Sequence, residues 1–457
     1  MKAITVWVNL DRSADGQSKE QLCINFTKNK LISQSEINKL VDHLFRHQSG
    51  KIVAVLTRIF GANNLDLAED VVQDSLVEAI KQWTYKGIPE DPSAWLFKVA
   101  KNQALNIINR EKYKRQYSSD VTHFLQSEWT AMPALDHLFS EQGILDDQLR
   151  MMFTCCHPAV SRDSQVALIL KTLCGFSITE IAKAFLTNEE NIHKRLVRAR
   201  QKIRQDKIPF EVPYGTGLEQ RLQSVLESIY LLFNEGYSAS SGTDLIRFEI
   251  CEEAIRLTEI ILKHPAFQNK SDVYALLAMM QLNASRFKAR QDAEGNILTL
   301  EQQQRSLWDY ELMEKGFVNL EKSTLENQIS IYHILAAISA YHCSAPDYKS
   351  TDWISILSLY DNLIKINNSP VILLNRAIAL SKVSGAANAI AELEKISEIP
   401  SIKSYHLFYS TKAEFYMELS KFTQAIASLQ TAIDLAPLQS EKILLNKKLE
   451  YCCKKIF

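Results

Sequence analysis

Asn191, His193, Lys194, Arg195 and Arg198 fall within one short basic stretch and carry the side-chain types that donate hydrogen bonds to base edges and phosphates. Before them, Thr179 to Phe185 reads as a short helix with Ile181 and Ala182 inward. Leu186-Thr187 is a tight turn, and a second helix from about Asn188 to Arg204 turns Ile192 and Leu196 inward. A row of Lys and Arg alone is common on any solvated helix. Preceded by a short helix and a tight turn, it describes a helix-turn-helix whose second helix enters a major groove. Arg200, Lys202, Arg204 and Lys207 extend the positive charge toward a DNA backbone.

A second basic face lies on a helix expected from Ser93 to about Lys114. Lys98, Lys101, Asn102, Asn106 and Arg110 are its polar residues, with Lys112, Lys114 and Arg115 following. The stretch from Trp83 to Pro92 holds a glycine and two prolines and is expected to be a loop. Cations beside an aromatic loop suit a separated DNA strand, because cations track phosphates and rings stack on unpaired bases. Trp83, Trp95 and Phe97 also have the ordinary reading of core aromatics.

The elements that carry these faces are helical throughout. Only 13 Gly and 11 Pro occur in 457 residues, and 46% of the chain is hydrophobic, which predicts an all-α protein of several domains. From Ile37 to Ile59 apolar residues recur at helical spacing, and Gly61 ends the run. Leu67 to Ile80 is amphipathic. Val72, Leu76 and Ile80 share one face, and Glu69, Asp70, Gln73 and Asp74 lie toward the other.

Residues 1–207 hold 28 Lys and Arg against 24 Asp and Glu, and residues 208–457 hold 24 against 29. A mildly basic front and an acidic rear place nucleic-acid binding in the front. Eight cysteines without framework spacing read as reduced thiols. Cys155-Cys156-His157 lacks the two-residue spacer of a zinc site, so no metal is expected. No nucleotide-binding glycine loop, hydrolase elbow or metalloprotease motif occurs, so neither an enzyme nor a cofactor is expected. No apolar run is long enough for a membrane span, and no secretory signal opens the chain, so a cytoplasmic location is expected.

Together the three blocks resemble the extracytoplasmic-function sigma factors. Asp66-Leu67-Ala68-Glu69-Asp70-Val71-Val72-Gln73-Asp74 is similar to that family's polymerase-clamp-binding helix. Pro92-Ser93-Ala94-Trp95-Leu96-Phe97-Lys98-Val99-Ala100-Lys101-Asn102 is similar to its −10 helix, and Ser177 to Arg204 to its −35 reader. The resemblance implies core RNA polymerase and promoter DNA as partners. It implies docking of polymerase by Asp70, Gln73 and Asp74. Lys98, Lys101, Asn102, Asn106 and Arg110 would handle the −10 strand, and Asn191, His193, Lys194, Arg195 and Arg198 would read the −35 duplex.

The expected organisation is a loose arm over 1–36, sigma domain 2 over 37–116, a linker over 117–143 and sigma domain 4 over 144–207. A helical extension follows over 208–330, then tetratricopeptide-like repeats over 331–457. The repeats rest on a 36-residue spacing that aligns Ala377, Leu380, Ala389 and Leu393 with Ala413, Tyr416, Ala425 and Leu429. Such stacked helices offer a surface for a protein or peptide partner, and the extension resembles that of a subgroup in which it contributes to control. Two other readings compete: a repeat-bearing helix-turn-helix regulator that is not a polymerase subunit, and a helical scaffold without DNA. Residues 66–74 and the helix from Trp95 to Arg115 argue against the first, because a simple regulator needs neither, and a polymerase pull-down separates all three.

Overall fold

The computed structural model describes residues 34–111, 138–185, 187–213, 215–238, 246–265, 267, 269–325 and 329–456. Residues 1–33 of the expected arm lie outside them, while 34–36 of it are helical; residues 112–137, which include Lys112, Lys114, Arg115 and most of the expected linker, also lie outside. The described chain is all-α, and its only pairing of strand type is the isolated bridge between Gln291 and Ile297.

The first body is built from α1 (Gln34–Phe60), α2 (Leu65–Lys86) and α3 (Pro92–Glu111). Ile52, Leu56, Val72, Leu76, Leu96 and Ala100 recur at helical spacing and are buried together. One expectation fails here, because the segment from Trp83 is helical as far as Lys86. The helix stops only where Gly87 takes φ +82, a left-handed turn that glycine makes at no steric cost. Trp83 is therefore a core residue, 2% exposed, with its ring edge-on to Trp95 at 5.3 Å.

The second body comprises α4 (Glu141–Cys155), α5 (Arg162–Thr172), α6 (Ile178–Ala184) and α7 (Glu189–Gln205). Ser177 and Glu180 form a reciprocal capping box at the start of α6, and Asn188 caps α7 through the Asn191 N–H. Ile192, Leu196, Ala199 and Ile203 bury one stripe of α7, and Ile181 and Ala182 bury α6. The helix-turn-helix expected between 179 and 204 is present.

The rear of the chain is a run of helix hairpins. It begins with α8 (Thr216–Tyr237), α9 (Phe248–Lys263) and α10 (Ser271–Ala284). After the irregular stretch 285–309 come α11 (Tyr310–Ser323), α12 (Ile331–Ser344) and α13 (Trp353–Ile366). The hairpins Pro370–Ser384 with Ala386–Ile396, and His406–Glu418 with Phe422–Leu435, bury Ala377, Ala389 and Leu393 as they do Ala413, Ala425 and Leu429. Helix α12, the first of the stretch read as repeats, packs on α10.

One apolar core runs from Ile37 through Phe176 to Ala336 and so joins the first two bodies to the front of the extension. One crossing in it is backbone on backbone: a Cβ added to Gly50 of α1 would lie 1.9 Å from the Leu173 carbonyl oxygen at the end of α5.

Candidate nucleic-acid interface

On α3, Leu96, Ala100, Ala104 and Ile108 are buried at intervals of four, which forces the intervening positions outward. Lys98, Asn102, Asn106 and Arg110 accordingly form one exposed stripe, with Lys101 half-buried beside it. Gln103 ties the helix to α2 by accepting from the Ser75 hydroxyl at 3.3 Å.

On α7, Asn191, His193, Lys194 and Arg198 are exposed, and Arg195 is half-buried. Arg195 is also engaged. Its Nη2 lies 3.0 Å from Asp163 Oδ2, and its guanidinium sits 5.2 Å from the Phe185 ring centroid. Lys194 pairs with Glu190 one turn earlier at 2.6 Å, and Asn191 donates to the Thr187 hydroxyl at 3.2 Å. A cleft of about 310 Å³ opens between α7 and the start of α5, lined by Ser161, Asp163, Arg195, Arg198 and Lys202. Three cations at a helix N-terminus suit a phosphate.

The rear of α7 departs from expectation. Arg200 and Arg204 do not continue a free basic surface. Arg200 Nη2 lies 2.7 Å from Glu69 Oε2, and Arg204 Nη2 lies 2.7 Å from Asp66 Oδ2, both carboxylates belonging to α2. Burial pushes the Glu69 carboxyl up, against the pull of Arg200. On the same helix Asp70, Gln73 and Asp74 are exposed. The sequence held no sign of this pairing, because the partners are 131 and 138 residues apart.

A second junction joins all three parts. Glu180, 3% exposed, takes Arg46 Nη1 of α1 at 3.0 Å and Arg247 Nη1 before α9 at 2.5 Å. Burial raises this carboxyl, but the Ser177 N–H, Arg46 and Arg247 outweigh burial and hold it down at about 2. Nearby, Asp147 of α4 accepts from Arg58 of α1 at 3.2 Å and from Arg150 at 2.7 Å, and burial pushes its carboxyl up to about 6. Arg256 of α9 donates to the Gln148 side-chain carbonyl at 3.0 Å, and Arg162 pairs with Glu227 of α8 at 2.8 Å.

The thiols of Cys155, Cys156 and Cys174 are fully buried, and burial pushes that of Cys155 up to about 12. Among the described residues, no group of three or more His, Cys, Asp or Glu is arranged to hold a metal, and no helix is long and apolar enough to cross a membrane.

Residues 44–113 match the family model of Sigma-70 region 2, and residues 150–203 that of Sigma-70, region 4. Residues 221–324 match a family of unknown function, DUF6596. The chain is similar to an uncharacterized protein of Rhizobium meliloti (strain 1021), 33% identical over 399 residues that cover 87% of this chain and 92% of that protein. It is also similar to the ECF RNA polymerase sigma-E factor of Salmonella typhimurium (strain LT2), 26% identical over 157 residues, 34% of this chain and 78% of that one. A stretch of 111 residues is 30% identical to serine/threonine-protein phosphatase T of Trypanosoma brucei brucei, covering 24% of this chain and 22% of that protein. No solved structure matches.

Proposed function

The chain belongs to the extracytoplasmic-function sigma factors, with a helical C-terminal extension, and from that membership we infer that the arrangement described above is a closed, resting form. As a sigma factor it directs promoter-specific initiation of transcription. A helix-turn-helix regulator needs only the second of the two matched regions, and both are here.

The surfaces divide the work in our reading. Asp70, Gln73 and Asp74 dock on polymerase, since an exposed acidic and amide face complements a basic one. Lys98, Lys101, Asn102, Asn106 and Arg110 hold the separated −10 strand. Asn191, His193, Lys194, Arg195 and Arg198 read the −35 duplex. The domain boundaries follow the helices, with α1 to α3 as sigma domain 2, α4 to α7 as sigma domain 4, and the extension behind them.

Span is the reason to regard the closed form as inactive. The two promoter elements are named for positions about 25 base pairs apart, or ~85 Å of B-form DNA. From Asn191 along α7 to Arg200 is ~14 Å, from Glu69 to Ser75 ~9 Å and from Gln103 to Arg110 ~11 Å. The side-chain bridges at Arg200 to Glu69 and Ser75 to Gln103 add about 25 Å together. The two DNA-facing stripes are thus held within about 60 Å of each other, short of the distance required. Docking on polymerase must separate the domains.

The single observation carrying this reading is that Glu180 of the DNA reader is gripped at once by sigma domain 2 and by the extension. The extension then acts as a regulator that favours the closed form. Gly50→Ala tests it in the full chain. Alanine is the better helix former inside α1, yet its Cβ clashes with the Leu173 backbone, so each domain stays folded while the crossing is forbidden. The expected result is a larger radius of gyration in solution scattering and higher promoter output with core polymerase. An unchanged radius with unchanged output would overturn it.

A further inference from the structure

At the end of α10 and along the stretch 285–309, three arginines gather without pairing to a carboxylate among the described residues. Arg286 donates to the Tyr237 hydroxyl at 3.1 Å and to the Asn283 side-chain carbonyl. Arg290 lies over the Tyr237 ring at 3.8 Å and donates to the Tyr237 carbonyl. Arg305 donates to the His342 carbonyl at 2.8 Å. Elsewhere Arg46, Arg200 and Arg247 each face a carboxylate, while Arg221, 8% exposed, donates to the Phe153 carbonyl. Cationic charge taken out of water is costly unless something neutralises it.

The same locus concentrates unpartnered polar atoms. Trp308 is 5% exposed, and its ring is flanked by the guanidiniums of Arg305 at 4.5 Å and Arg286 at 5.9 Å. Its indole Nε1 has no hydrogen-bond partner, nor have Arg286 Nε, Arg305 Nη2 and His342 Nδ1, and all four atoms are buried. Native interiors leave few such groups, and four in one cluster call for a missing partner. His342 agrees: burial, Arg286 and Arg305 push its imidazole down to about 3, so it stays neutral rather than adding a fourth charge. Stacking on Trp308 and Tyr237 holds the cations in place meanwhile.

We propose that Arg286, Arg290, Arg305, Trp308 and His342 form a binding site for a small oxyanion of the phosphate type. Its oxygens accept from the guanidiniums and the indole, and Arg305 is partly open to solvent. All but His342 lie within residues 221–324, the part matched by a family of unknown function. This site needs neither DNA nor polymerase and stands apart from the sigma-factor reading.

The test is calorimetric titration of the full-length protein with inorganic phosphate, alongside sodium chloride at matched ionic strength and malonate as a dicarboxylate. Phosphate is expected to bind and to raise the melting temperature, while chloride does neither. Arg305→Gln and Trp308→Phe should each weaken phosphate by about tenfold. The second variant keeps the ring and loses only the N–H. Lys288→Gln, an exposed neighbour, should change nothing. Malonate binding as tightly as phosphate would overturn the phosphate assignment. No saturable phosphate binding, or binding undiminished in both Arg305→Gln and Trp308→Phe, would overturn the site itself.

Discussion

Arg200 of the DNA-reading helix makes two hydrogen bonds with Glu69 of the polymerase-facing helix, its Nη2 standing 2.7 Å from Oε2 and 3.0 Å from Oε1. Both side chains are 18% exposed, so water screens the pair weakly. Glu69→Gln keeps the shape and removes the charge, leaving Asp66 at 3.2 Å as the carboxylate that Arg200 faces. The closed form is expected to weaken by about 2 kcal/mol, roughly a thirty-fold shift toward separated domains. Energy transfer between dyes on α2 and α7 reads the shift. An identical transfer efficiency in the variant would sink the closed-form argument.

Glu180→Gln separates two jobs of one side chain. Glutamine still completes the capping box with Ser177, so α6 should form as before. Arg46 and Arg247 lose their shared carboxylate, and the closed form should weaken by at least about 2 kcal/mol. The pH dependence follows from the sign of the shift. With the carboxyl held at about 2 instead of its ordinary 4.5, its stabilisation is complete above about pH 4.5 and is lost as the pH falls toward about 2. Acid unfolding curves of the two proteins should therefore converge only below about pH 4.5.

Asp163 competes with DNA for Arg195. Replacing Asp163 with alanine should tighten −35 binding, and Arg195→Ala or Arg198→Ala should weaken it by about 1–3 kcal/mol where the side chain reaches a base. A gel-shift series across salt concentrations distinguishes the roles. Loss of a phosphate contact lowers the salt slope by about one unit, and loss of a base contact relaxes sequence preference instead.

The two faces of sigma domain 2 should fail in different assays. Asp70→Ala with Asp74→Ala should reduce co-purification with core polymerase. Lys98→Ala with Asn102→Ala should leave that association intact and reduce strand opening, read by permanganate reactivity at the −10 element. If both pairs impaired the same step equally, the assignment of faces would be wrong.

The helix-turn-helix is legible because its signal is local: an inward Ile181-Ala182, a tight turn and a basic face within the 26 residues from Thr179 to Arg204. Two prolines and a glycine downstream of Trp83 read as a loop, whereas the apolar spacing carries α2 on to Lys86. The docking of Arg200 and Arg204 was invisible, since a lone sequence shows a basic stripe but not the carboxylates it meets across the fold. Arg286, Arg290 and Arg305 went unremarked for the opposite reason. Their meaning lies in buried donors left without hydrogen-bond partners, which only packing reveals.

The grip on Glu180 also has an order in time. Arg46 and Glu180 are both synthesised before the ribosome adds Arg247, so a growing chain holds half of the clasp until the extension begins to emerge. A newborn chain consequently lacks the extension's half of the clasp until Arg247 has been added, and synthesis of the front of the extension is the step that completes it.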